Sequence, residues 1–139
     1  MRHRKRGRHL GRTSAHRQAM RRNLVSNLFL TGRVRTTPAK AKEVRGMAER
    51  LITMAREGSV AQFRRALSIL DDKFIVRRLF REIAPQFADR PGGYTRILHL
   101  PRSARRLGDN APQVVLELVE TPGESDAASK SARSEKAAT

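Results

Sequence analysis

The sequence predicts an α+β fold in the order helix, strand, three helices, two strands: a small three-stranded mixed sheet covered by helices, with a basic arm ahead of it. Three observations predict it. Apolar residues recur at helical spacing between capping residues across positions 13–83. A short segment at 33–36 alternates charged and β-branched residues, and two more segments, 94–100 and 113–119, are set apart by glycine and proline. No repeat of useful period interrupts this order.

Positions 1–12, MRHRKRGRHLGR, carry two glycines, dense positive charge and almost nothing apolar, so they cannot pack a core. They read as an arm that orders only against a partner. Thr13 or Ser14 then caps a first helix whose stripe is Ala15, Ala19, Met20, Leu24 and Leu28, stopped at Gly32. Arg33–Thr36 reads as a strand and Thr37-Pro38 as the start of the next helix, proline being pre-set for the first turn. That helix carries Ala41, Val44, Ala48, Leu51, Ile52 and Ala55 and ends at Gly58. Ser59 caps a third helix with Phe63, Leu67 and Leu70; Asp71 or Asp72 caps a fourth with Ile75, Leu79, Phe80 and Ile83, ahead of Pro85.

Pro91-Gly92-Gly93 breaks the chain before a strand at 94–100, and Gly108-Asp109-Asn110 with Pro112 precedes the last strand, 113–119. From about Thr121 the composition turns to Ala, Ser, Lys and Glu with no aromatic residue, which reads as a disordered polar tail. The expected organisation is therefore a basic arm at 1–12, a single α+β domain at 13–120 and a tail at 121–139.

Charge narrows the function. Lys and Arg total 30 against 13 Asp and Glu, a net of +17 at a sequence pI near 11.8. No acidic residue precedes Glu43, so +13 of that charge lies in the first 42 residues and only +4 in the remaining 97. Such a chain repels itself unless a polyanion neutralises it. Membrane insertion is not the answer, since no apolar run approaches the ~20 residues a spanning helix needs. Arginine supplies 24 of the basic residues, and its planar fork binds phosphate bidentately and stacks on bases.

Catalytic and metal readings are weak. There is no cysteine, hence no disulfide or thiolate site, and a reducing compartment fits. His3, His9 and His16 match no zinc spacing, and neighbouring arginines would repel a cation; phosphate or base contacts suit them better. Asp71-Asp72 is explained by capping, and Gly92-Gly93 lacks the lysine and spacing of a phosphate loop. No base and oriented nucleophile can be paired, so neither enzyme, cofactor nor small-molecule substrate is expected. Tyr94 suits a stacked base and a core position equally; Phe63, Phe74, Phe80 and Phe87 read mostly as core.

The blocks MRHRKRGRHLGR, SAHRQAMRRNL, VRTTPAKAKEVR with ERLIT, GGYTRIL and GDNAP…LELV, spread in order over residues 1 to about 120, resemble the family of the bacterial seventeenth ribosomal protein of the large subunit. The resemblance implies a cytoplasmic structural protein bound to large-subunit ribosomal RNA near the exit of the nascent-peptide tunnel, beside neighbouring ribosomal proteins. It implies the same helix and strand order. It puts Arg2, His3, Arg4, Lys5, Arg8, Arg12, His16 and Arg17 in the RNA-facing N-terminal part, and Thr36, Thr37, Lys40 and Lys42 in the second matching block. Arg6, Arg21, Arg22 and Arg35, from the same charged segments, complete the expected RNA-binding set. The chain departs from the family at Pro101–Leu107, PRSARRL, a longer and more basic connection, and at Thr31-Gly32.

The rival reading is a histone-like module that compacts DNA, equally small, basic and cysteine-free. An arm joined to an α+β body, without a dimeric coiled seam or a readable recognition helix, favours RNA. A nuclease using His16 is a distant third.

Overall fold

The computed structural model describes residues 7–119. The element order follows the expected one: α1 (Ser14–Thr31), β1 (Arg33–Thr36), α2 (Pro38–Glu57), α3 (Val60–Leu70), α4 (Lys73–Arg78) running through a π-helical turn (Leu79–Ile83) into α5 (Ala84–Gln86), then β2 (Thr95–His99) and β3 (Val114–Leu118). The expectations for positions 1–6 of the arm and for the tail from residue 121 lie outside the described residues.

Local chemistry sets the helix ends. The Thr13 hydroxyl accepts from the His16 N–H, and Ser59 does the same for Gln62. Gly32 ends α1 at φ 78°, its N–H donating to the Leu28 carbonyl at 2.8 Å. Of the two adjacent acids, Asp72 caps α4, accepting from Phe74 and Ile75, while Asp71 closes α3 in the left-handed region at φ 59°. Pro85 does not end the fourth helix as its position suggested. Proline has no N–H and its ring crowds the carbonyl four residues back. Here the turn just before it is widened, with the Ala84 N–H reaching Leu79, and helical geometry continues through Gln86.

The six apolar positions expected on α2 are all buried, and they form the floor of the core with Ala66, Leu70, Ile75, Val76, Leu79, Ile83 and Phe87. On α1 the buried residues are Val25, Leu28 and Phe29, whereas Ala15 and Ala19 are exposed. This corrects the expected stripe: the first half of α1 borders open grooves instead of the core, so its small residues stay exposed. Among the phenylalanines, Phe29 and Phe87 are fully buried and Phe63 meets Phe80 edge to face at 5.2 Å, but Phe74 is 65% exposed at the start of α4.

The sheet has the order β1-β3-β2 and both pairings are antiparallel, so it is not the mixed sheet expected from sequence. With β1 and β2 both running opposite to β3, a parallel pairing would need β1 beside β2. Instead β3, which buries Val114, Leu116 and Leu118, takes the centre, where both of its backbone edges are paired, and the arginine-bearing strands take the edges. Hydrogen bonds from Val119 to Tyr94 and from Leu100 to Gln113 carry the β2–β3 pairing one residue past each end.

Candidate nucleic-acid interface

The first three turns of α1 hold no fully buried residue and bear charge on more than one side. On one side His16, Ala19, Met20, Asn23 and Leu24 face Thr36 and Lys40 across a groove of about 300 Å³. Two segments that are 20 residues apart in sequence thus meet because β1 turns the chain back and Pro38 starts α2 beside α1. His16 takes a hydrogen bond from Arg12 Nε at 3.4 Å, and Arg12 also donates to the Leu10 carbonyl at 3.1 Å.

On another side a larger groove, about 570 Å³, is lined by Arg17 and Arg21 of α1, Glu43 and Arg50 of α2, and Arg65 of α3, over a floor that includes Met47, Leu51 and Met54. Glu43 is the tie point. It pairs with Arg21 and accepts from the Arg8 backbone N–H at 3.1 Å, so the end of the basic segment is drawn onto α2. Arg17 reaches His9 Nδ1 at 3.3 Å. Arg22 points elsewhere, to an ion pair with Asp71.

The strand alternation separates two residues that are adjacent in sequence. Thr36 faces the α1 groove, whereas Arg35 lies on the opposite side of β1, donating from Nε to Gln113 and from Nη2 to the Ala104 carbonyl at 2.7 Å. Thr37 occupies the N-cap position of α2 without a side-chain cap bond, and Lys42 is exposed on α2. Arg50 and Arg65 were absent from the expected set because both lie beyond the acid-free first 42 residues. Their place beside Arg17 is visible only once three helices come together. The expected contacts of Arg2, His3, Arg4, Lys5 and Arg6 lie outside the described residues.

Tyr94 is resolved as core. It is 1% exposed, packs edge to face on Phe87 at 5.2 Å, and its hydroxyl accepts from Arg56 at 2.8 Å. Among the described residues no three His, Cys, Asp or Glu side chains gather as metal ligands would, and no helix is long and apolar enough to cross a membrane. The arrangement offers grouped guanidinium and ammonium donors at the rims of open grooves, which is the chemistry of phosphate recognition.

The family model described as ribosomal protein L17 matches residues 20–119. The chain is 49% identical to the large ribosomal subunit protein bL17 of Syntrophotalea carbinolica, over 100% of this chain and 90% of that one. It is 52% identical to the protein of the same name from Geobacter sulfurreducens, over 86% of this chain and 67% of that one.

Proposed function

This chain belongs to the ribosomal protein L17 family, and from that premise we propose that it binds and stabilises folded large-subunit ribosomal RNA near the peptide exit tunnel. It is a structural component of the large ribosomal subunit and not an enzyme. Its working place is the ribosome in the cytoplasm, with ribosomal RNA and neighbouring ribosomal proteins as partners.

One observation carries the RNA reading: α1 brings His16 against Thr36 and Lys40 on one side and Arg17 and Arg21 against Arg50 and Arg65 on another, with a single carboxylate, Glu43, among them. The Lys40 ammonium on one side of α1 and the guanidinium groups on another neutralise phosphates of RNA segments that approach each other, so the RNA packs more tightly. RNA shape and unstacked bases supply specificity. The segment 1–12 anchors the same RNA, since Arg8 already joins it to α2 at Glu43.

The test is salt-dependent binding of the full chain and of a chain lacking residues 1–12 to large-subunit ribosomal RNA and to duplex DNA. Each neutralised phosphate adds roughly 0.7 to 0.9 to the log-log salt slope. The reading requires preference for RNA and a loss of both affinity and slope on deletion. Equal binding to DNA with no effect of deletion overturns it in favour of DNA compaction.

A further inference from the structure

Among the described residues, the helices cover only one face of the sheet. β3 buries Val114, Leu116 and Leu118 beneath them, so alternation turns Val115 and Glu117 to the other side. The registers place Arg33 and Arg96 on either side of Glu117, and Arg35 and Leu98 on either side of Val115. Arg33, Arg35, Arg96 and Leu98 are exposed, Leu98 by 45%. Glu117 is ion-paired to Arg96 and its side chain is only 15% exposed, so the acid is masked while Arg96 remains 56% exposed.

The loop after β2 extends this surface. Arg35 holds it by donating to the Ala104 carbonyl, Arg106 closes it through its backbone to Ala111 at 3.1 Å, and Asp109 clamps Arg106. The same loop carries the exposed Arg102, and Arg105, which donates across the loop to the Asn110 carbonyl at 3.5 Å. Among the described residues, six arginines stand here against two carboxylates, each of which already has an arginine partner within the fold.

We infer that this uncovered sheet face, with the loop carrying Arg102 and Arg105, is a second phosphate-binding surface that grips a segment of ribosomal RNA other than the one held by α1. The inference rests on the reading of the chain as a ribosomal RNA binder and adds to it a second, separate site. RNA is the occupant the charge selects. Arginines roughly 10 Å apart on alternate strands present guanidinium forks to one run of phosphates. A protein partner would require an uncharged centre, and the apolar part of this face is only Leu98 and Val115. With α1 on one side and the sheet on another, the protein ties two RNA segments together.

The experiment measures salt-dependent binding of the full chain to a large-subunit ribosomal RNA transcript with Arg33→Gln plus Arg102→Gln, neither of which takes part in the ion pairs of this face, and with Lys40→Gln plus Arg50→Gln, one in each groove beside α1, as the α1-side comparison. Protection of Arg33, Arg96 and Arg102 from an arginine-specific dicarbonyl reagent is read by mass spectrometry in the complex, which needs no substitution. The sheet variant is expected to lower the slope by roughly 1.4 to 1.8, two phosphate contacts' worth, with all three arginines protected. An unchanged slope for the sheet variant with a lowered slope for the α1 variant overturns this second site and leaves the ribosomal RNA reading standing. Unchanged slopes for both overturn the inference together with the reading beneath it. Protection that appears only when other ribosomal proteins are added assigns the face to a protein partner and likewise overturns it.

Discussion

Glu49 of α2 receives two hydrogen bonds from Thr95, one from its backbone N–H at 3.1 Å and one from its hydroxyl at 2.8 Å. A third, from the Tyr94 N–H at 3.3 Å, makes this carboxylate the point at which β2 is fastened to the longest helix. Thr95 is the single buried polar residue among the described residues, so its donors have no water to fall back on. Glu49→Ala is expected to cost about 1 to 3 kcal/mol of stability through unpaired buried donors, measured by urea unfolding, with Glu49→Gln recovering part of the loss.

Arg56, two turns further along α2, joins it to the same segment, donating to the Tyr94 hydroxyl and, at 2.7 Å, to the Ala88 carbonyl. Tyr94→Phe removes one hydrogen bond while keeping the ring against Phe87, an expected loss of about 0.5 to 1.5 kcal/mol. Tyr94→Ala also opens a cavity and is expected to cost about 3 to 5 kcal/mol, as loss of a buried aromatic ring does. Thermal unfolding of both variants checks the ratio. RNA affinity of Tyr94→Phe is expected to equal that of the parent, since the ring is buried.

The Asp72 carboxylate caps the fourth helix through two backbone N–H groups, the nearer at 2.8 Å. Asp72→Ala is expected to destabilise the chain by about 0.5 to 2 kcal/mol. Asp72→Asn, which keeps an accepting oxygen, is expected to retain most of it. Chemical denaturation of the two variants separates capping from charge.

The loop carries a pH signature. The Arg106 side chain, followed by the Ala111 N–H, holds the Asp109 carboxyl below its ordinary 3.8, at about 2. Because the folded value is depressed, the stabilisation this group contributes is complete above the ordinary carboxylate value and is lost as pH falls through about 2. An NMR titration of the Asp109 carboxyl is expected to report that midpoint, and Arg106→Gln to return it towards the ordinary range.

At the proposed RNA interface, Arg17→Gln and Arg65→Gln remove two cations from the groove beside Glu43. Each is expected to reduce the salt slope of RNA binding by roughly 0.7 to 0.9 where it meets a phosphate, with thermal stability unchanged because both project at the groove rim. Filter-binding isotherms over a salt series, paired with melting curves, distinguish lost contact from lost fold.

Much of this protein was written in local pattern. The α2 stripe, the Thr13, Ser59 and Asp72 caps, the stop at Gly32 and the order of elements all arise within a few residues of one another, where periodicity and hydrogen bonding of the chain to itself decide the outcome. The charge asymmetry is likewise a property of composition, and it selected a polyanionic partner before any fold was known. Tertiary structure decided the rest, because each remaining question turned on residues distant in sequence. Whether β3 or β1 lies beside β2, and hence whether the sheet is antiparallel throughout, depends on pairings across some 80 residues. Which side of α1 is buried depends on where α2 ends its support. That Arg35 and Thr36 face opposite ways, that Arg50 and Arg65 stand beside Arg17, and that Tyr94 is sealed against Phe87 all follow from packing between elements, which no single stretch of sequence contains.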